Sequence, residues 1–370
     1  MAVSGSTDVF VIGGGPAGLA AAIAARRRGF AVMLADPASP GADKACGEGV
    51  LPEGLDALRR LGVEIPPAAA RPFRGIRFVE RGVTAEACFT RGAGLGIRRT
   101  VLHSALAARA EGCGVHLLWR TPVIGISPGG VTLRREIIRS RWIVGADGGQ
   151  SRVRRWLGLE PRVPPAPRYA VRQHFHSRAW PDFVEVHWGN DAQFYVSRVT
   201  EDEACVVLIS RQPGLRIETS LRAFPELEAR LAAAGPASVS RGALTASMRL
   251  PRVFRRSVAL LGDASGSVDA ISGQGLTLAF LQAEALAASL AAGDLSLYQT
   301  AHRRMMRRPA IVSRLLLALD GRPRLRSHVL RILAEEPRLF ARWLAMHSGA
   351  ASTRDCALGG LYLGWRLVAS

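Results

Sequence analysis

The hexapeptide Gly13-Gly14-Gly15-Pro16-Ala17-Gly18 stands between the apolar run Asp8-Val9-Phe10-Val11-Ile12 and the small-residue stretch Leu19 to Arg28. That order predicts a buried strand, a tight turn and a helix whose N-terminus faces the turn. Gly13 permits the turn, Gly15 lets the backbone approach a phosphate, and Gly18 lets the helix pack on the strand. Free N–H groups and the helix dipole then make a place for a pyrophosphate. A second strand, Ala31 to Ala35, ends at Asp36, roughly 20 residues past the turn, where a carboxylate meets the ribose of a dinucleotide.

Two later segments narrow the dinucleotide to FAD. Gly145-Ala146-Asp147-Gly148 follows the apolar run Arg141 to Val144, and Gly262-Asp263-Ala264 follows Ser257 to Leu261. A carboxylate at the C-terminal end of a buried strand in an α/β sheet sits where ligands bind, which singles out Asp263. Gly273-Gln274-Gly275 then opens a long helix.

The chain has 370 residues, 48% of them hydrophobic, enough for one large domain or two interleaved ones. A net charge of +19 raises nucleic acid as a partner, but no basic run is interleaved with aromatics and no nucleic-acid motif occurs, so none is expected. The basic surface instead suits an acidic carrier protein or an anionic membrane. Five cysteines, Cys46, Cys88, Cys113, Cys205 and Cys356, form no CxxC pair, which indicates neither a disulfide framework nor a zinc site and suits a reducing cytoplasm. The stretch Leu276 to Ala292 is interrupted by Gln282 and Glu284, and no membrane span or signal peptide is expected.

Along the chain, helices are expected at Glu53 to Leu61, Thr100 to Glu111 and Ser220 to Ala233. Strands are expected over Phe73 to Thr90, Val115 to Leu118, a hairpin at Val131 to Ile138, and most of Tyr169 to Arg211. The fold class is α/β: a Rossmann-like domain interleaved with a mostly antiparallel β domain, and a helical C-terminal region. Residues 1–75, 95–165 and 250–296 are assigned to the FAD-binding domain, 76–94 and 166–249 to the substrate domain, and 297–370 to the helical tail. His174, His176 and His187 sit at strand spacing, but without a carboxylate or cysteine expected nearby they predict no metal site. Trp180, Phe183, Trp188, Phe194 and Tyr195 are aromatic candidates for the roof of a substrate pocket.

Phe10 to Gly18, then Arg99-x-x-Leu102-His103-x-x-Leu106, then Gly145-Ala146-Asp147-Gly148-x-x-Ser151-x-Val153-Arg154, then Leu261-Gly262-Asp263-Ala264, together resemble the group I flavoprotein superfamily of aromatic hydroxylases and geranylgeranyl reductases. The resemblance covers roughly the first 300 residues. It implies FAD contacts at Gly13, Gly15, Pro16, Ala17, Gly18, Asp36, Arg99, Asp147, Gly262, Asp263, Gly273, Gln274 and Gly275, with NAD(P)H or another reductant docking transiently. Lys44-Ala45-Cys46-Gly47-Glu48-Gly49 is similar to the Lys-x-Cys-Gly-x-Gly segment of geranylgeranyl reductases and their menaquinone side-chain relatives. This adds Lys44, Ala45 and Cys46 to the cofactor contacts and makes Cys46 the candidate catalytic proton source.

The resemblance therefore favours an enzyme that reduces C=C bonds of a large apolar substrate, prenyl or carrier-bound, through hydride from flavin N5. Gln274 in Gly-Gln-Gly is hydroxylase-like, which keeps a NAD(P)H-dependent monooxygenase using a C4a-hydroperoxyflavin as the alternative. A carrier-docking flavoprotein with weak catalysis is the third. The arginine-rich tail, Arg303-Arg304-Met305-Met306-Arg307-Arg308 onward, suits either a solvated helix face or a peripheral membrane or acyl-carrier contact.

Overall fold

The first strand, Val3–Ile12, pairs in parallel with Val32–Asp36 on one side and Ile137–Gly145 on the other. Val9, Phe10 and Val11 are fully buried, as an apolar run covered on both faces requires. Ile137–Gly145 pairs with Val258–Leu260, and Val32–Asp36 with His116–Trp119, again in parallel. Numbered along the chain, these five strands lie in the order 3-2-1-4-5, the order of a dinucleotide-binding sheet. The short strands Gly125–Ser127, Gly130–Thr132 and Phe254–Arg255 complete this eight-stranded sheet. The computed structural model describes residues 3–127, 129–134, 136–163, 166–177 and 180–349.

The helix after the glycine turn spans Pro16–Arg26, starting three residues earlier than the apolar stretch predicted, with proline in its first turn. Its alanines are buried between the sheet and the helix Gly275–Ala292, small side chains allowing close approach. Gly275–Ala292 is long and apolar enough by length and composition to cross a membrane, but it packs on Pro16–Arg26, Pro52–Leu61 and Leu295–Asp320 as the core helix of the cofactor half. Gln282, which interrupts its apolar run, is buried and accepts the N–H of Gly262 at 2.9 Å.

The second sheet has seven strands, Arg241–Thr245, Arg168–His176, Glu203–Ser210, Ala192–Arg198, Phe183–Trp188, Gly75–Glu80 and Val83–Cys88 in that order. All neighbours are antiparallel except Phe183–Trp188 with Gly75–Glu80. One face carries Phe175, Trp180, Phe194, Val196, Val206 and Leu208 into a cluster closed by the helix Pro225–Ala232. The expected helix at 220–233 is thus broken: a turn at Ile217–Ser220 and a 3-10 turn at Leu221–Ala223 precede it, because Pro225 can only begin a helix. The other face carries Phe78, Val186 and Trp188 against the C-terminal helices Pro323–Glu335 and Pro337–His347. Next to them on this face Ala170, Tyr195, Cys205, Val207 and Ile209 face the loops of the cofactor half. The tail is helical through Leu295–Asp320, Pro323–Glu335 and Pro337–His347; Cys356 and the rest of 350–370 lie outside the described residues.

Candidate functional site

Gly13 has φ +111, and a Cβ there would fall on the carbonyl of Ala146, so the glycine turn and the Asp147 segment touch through backbone alone. A Cβ on Gly18 would fall on the carbonyl of Gly13. Around a Cβ on Gly15, by contrast, nothing lies within 4 Å, and the helix that follows has no side-chain cap. An open cradle at an uncapped helix N-terminus is the geometry that admits a phosphate. His103 braces the turn: its Nδ1 accepts the Gly41 N–H at 3.1 Å, so its proton stands on Nε2, 2.9 Å from the Gly14 carbonyl. Burial, with the Arg99 charge, lowers the pKa of His103 and keeps it neutral. Asp36 ends its strand with Oδ2 accepting the Gly14 N–H at 2.6 Å and Oδ1 the Ala38 N–H at 2.7 Å, so it shapes the turn.

Asp147 has a definite structural task. It accepts from Ser151 Oγ and from the N–H groups of Arg152 and Val153 at 2.7 and 3.1 Å, capping the helix Arg152–Leu157. Arg154 of that helix donates to Gly149 O at 2.8 Å and to Ala264 O at 3.4 Å, which brings the Asp147 and Asp263 segments together. Gly262, φ +59, packs against Ala17 at the start of the first helix. Asp263 itself has no side-chain hydrogen bond among the described residues. Its carboxylate is open to solvent while protein packed around it raises its pKa through desolvation. Arg99 is 6% exposed, and its Nη1 has no partner among the described residues, with burial lowering its pKa. A buried guanidinium and a carboxylate left without partners, around an open glycine cradle, fit a bound pyrophosphate and its sugar alcohols.

Gly273, φ +63, and Gly275 flank Gln274, and nothing lies within 4 Å of a Cβ at either glycine. Gln274 Nε2 donates to the carbonyl of His347 and lies 3.2 Å from its Nδ1. Burial holds His347 at about 4, so it stands neutral over the start of the long helix. Nothing in the local sequence marks His347; it arrives from the last described helix, and only the fold places it there.

The loop 43–49 lies between the Arg99 helix and the inner face of the second sheet. Gly47 O accepts from Ser197 Oγ at 3.2 Å, and Cys46 O from the Cys205 thiol at 3.6 Å. Lys44 is exposed, whereas Ala45 and Cys46 are half-buried. Glu48, in the motif's variable position and so missed by pattern, is 1% exposed. It lies 2.7 Å from His174. This corrects the expectation about the histidines: His174 has a carboxylate and the Cys205 thiol beside it, and His187 has Glu185 at 3.4 Å.

The aromatic roof is corrected too. Trp180 and Phe194 belong to the outer cluster, Trp180 under the Arg230 guanidinium at 3.6 Å. Phe183 lies under Arg74 and Arg77 at 4.6 and 4.8 Å, and Trp188 packs edge-on to Phe78 at 5.7 Å. Only Tyr195 of the five faces the cofactor half, its hydroxyl donating to Ile271 O at 3.2 Å. A run of strand residues alternates faces whatever their chemistry, and composition does not say which face is inward.

A five-stranded parallel core with its glycine cradle and the open Asp263 carboxylate at the C-terminal edge, roofed by a mostly antiparallel sheet, defines a group I FAD-dependent oxidoreductase. Residues 6–305 match the family described as FAD binding domain, and the chain belongs to that family. It is 28% identical over 321 residues to digeranylgeranylglycerophospholipid reductase 1 of Methanothermobacter thermautotrophicus, covering 78% of this chain and 79% of that one. A geranylgeranyl bacteriochlorophyll reductase-like protein of Thermoplasma acidophilum superposes with a TM-score of 0.76 at 19% identity, over 90% of this chain and 92% of that one. The tetrameric form of 2-methyl-3-hydroxypyridine-5-carboxylic acid oxygenase does so with 0.74 at 23% identity, over 93% and 96%. The two structural likenesses show the fold.

Proposed function

We propose that the chain reduces C=C bonds of a large apolar substrate of the prenyl kind. The observation that carries this reading is the position of the 43–49 loop: Cys46 is held between the Arg99 helix and the inner roof face. The reductase names of the curated relatives support it. The residues suited to hold FAD are Gly13 to Gly18 at the pyrophosphate, Asp36 at the adenosine ribose, and Arg99 and Asp263 beyond. Gly262, Asp147, Lys44, Ala45 and the Gly273-Gln274-Gly275 turn are the further contacts that this reading assigns to it. Bound FAD, once reduced by two electrons, would supply a hydride from N5 for one alkene carbon. The second carbon needs a proton, and Cys46 is the group placed to hold it. Burial pushes its thiol up, which keeps the sulfur protonated at neutral pH. Ala170, Val207, Ile209 and Tyr195 give that part of the roof an apolar lining that excludes water.

Electrons come from NAD(P)H or another reductant that docks transiently. The helix Leu295–Asp320 suits presentation of a lipid or carrier-bound substrate, since it exposes Ile311 and Leu315 among Arg304, Arg307, Arg308 and Arg314. On this reading the enzyme works in the cytoplasm, in peripheral contact with an anionic surface. The test is the mass of the product formed from a geranylgeranyl lipid with excess reductant. Two hydrogens gained per double bond without oxygen is the expected result. A product formed only in air and carrying one oxygen atom makes the enzyme a monooxygenase, the reading that Gln274 and the oxygenase-like fold favour.

A further inference from the structure

A group of buried charges surrounds Cys46 without taking part in either cofactor binding or hydride delivery. Glu48 has φ +56, a left-handed conformation that residues with a side chain adopt only at a cost and keep only when their surroundings enforce it. Its Oε1 accepts the Arg99 backbone N–H at 2.9 Å, and its Oε2 lies 2.7 Å from His174 Nε2. On the far side of that ring Nδ1 accepts from Arg98 at 2.8 Å and Arg172 at 3.0 Å, with Ser238 Oγ at 2.9 Å. Arg172 continues to Asp43, and Arg98 makes a two-pronged pair with Glu203 at 2.8 Å.

Two guanidiniums donating to Nδ1 leave the imidazole proton on Nε2, where it points at Glu48. Glu48, His174 and Cys205 place their donor atoms within 4.8 Å of one another, but the same argument puts a proton where a metal would bind. What the arrangement does is join three separated segments: the 43–49 loop, the start of the Arg99 helix and the roof strand Arg168–His176.

The sulfur of Cys46 accepts the N–H of Glu48 at 3.4 Å. The charged and titratable groups around it are Asp43, Lys44 and Glu48 on its own loop, Arg99 on the helix, and Arg172, His174 and Cys205 on the roof. We propose that Glu48 and His174 are positioning residues that lock the 43–49 loop and hold Cys46 as a neutral S–H donor at the cofactor. Burial raises the thiol first; the Glu48 backbone N–H on the sulfur lowers it, the Glu48 carboxylate charge raises it again, and Arg99 and Arg172 oppose the rise. This inference rests on the reductase reading for what the proton is used for, but not for its test.

The test is alkylation of Cys46 by iodoacetamide in the FAD-loaded enzyme, resolved from the other cysteines by peptide mass mapping and followed from about pH 6 to 10. Wild-type protein is expected to react with a midpoint above that of an ordinary thiol. Glu48→Gln keeps the shape and removes the charge, so the midpoint falls and alkylation near pH 7.5 rises by about threefold or more. Glu48→Asp keeps the charge but shortens the reach; it restores the midpoint while kcat for the prenyl lipid stays low and KM little changed. His174→Gln loosens the loop and also lowers kcat, and it carries the test if Glu48→Gln does not fold. Equal midpoints in wild type, Glu48→Gln and His174→Gln, or no alkylation of Cys46 in any of them, overturns the proposal. Because alkylation needs no substrate, failure to reduce a prenyl lipid sinks the reaction while leaving the lock standing.

Discussion

The cofactor half and the roof treat their charged side chains in different ways. Around the glycine turn, Arg99 Nη1 and the Asp263 carboxylate have no partner among the described residues, and Gly15, Gly273 and Gly275 face open space. The roof pairs its buried charges: Arg168 with Asp269 at 2.9 Å, Arg326 with Glu80 at 2.6 Å, and Glu185 with both Arg77 and Arg230 at 2.9 Å. Charges left waiting mark where a ligand is held, whereas charges already matched mark where segments are stitched. The first kind of site is bought with stability and the second protects it.

The largest effect that separates the halves is expected from Gly18→Val, which drives a side chain onto the Gly13 carbonyl. Purified protein should carry no FAD by absorbance, and a yellow, stoichiometric holoprotein would break the comparison. Trp180→Ala empties the outer roof cluster and should cost about 3–5 kcal/mol of unfolding free energy in denaturant titration, with flavin content unchanged. Loss of FAD in that variant would show that the roof does more than stitch.

Acid should weigh on the two regions through groups that titrate in different windows. His302 lies beneath the Asp263 segment, its Nε2 2.9 Å from Ser265 Oγ, and burial, with Arg303 nearby, holds it at about 4 against 6.5 unfolded. The unfolded chain takes up this proton first, so stability falls as pH drops from 6.5 to about 4 and levels off below. Burial alone would raise Glu185 in the roof, but His187, Arg230 and Arg77 outweigh it and bring it from 4.5 to about 2. Its contribution is present above 4.5 and disappears as pH falls toward 2. Each is worth on the order of 3 kcal/mol, measurable as the pH dependence of Tm. His302→Asn should make the fall in the upper window shallower, with His347 still titrating there, and Glu185→Gln should flatten the lower. The smallest effect is expected from Asp263→Ala, which has no protein partner to lose: Tm of the cofactor-free protein stays put while FAD affinity falls about 10–100-fold by fluorescence titration.

Much of the cofactor half was legible in the chain because its chemistry is local. A turn that needs φ above zero or a missing Cβ writes itself as glycine, so Gly13, Gly18 and Gly262 announce their positions, and Asp36 and Asp263 stand at the ends of apolar runs. Asp147 was singled out as a cofactor contact, whereas its cap on Arg152–Leu157 depends on Ser151 and on hydrogen bonds that a motif does not display. The roof was legible as strands and not as surfaces. Trp180, Phe194 and Tyr195 look alike in sequence, and only the covering helix Pro225–Ala232 on one side and the 43–49 loop on the other assign them to opposite faces. Glu48 and His174, 126 positions apart, meet through tertiary packing alone, a contact no spacing encodes.

The order of strands also carries a consequence for how the molecule is made. The sheet that grips the cofactor is finished by its last parallel strand, Val258–Leu260, and its core is closed by Gly275–Ala292, while its first strand is Val3–Ile12. On the ribosome the glycine turn therefore emerges with nothing to close over it, and the whole of the roof has been synthesised before the cofactor site has its far wall. Contacts of such long sequence separation form late. A ligand that binds only the closed form acts on the last step, so the cell's supply of FAD sets how much finished chain is retained in the folded state.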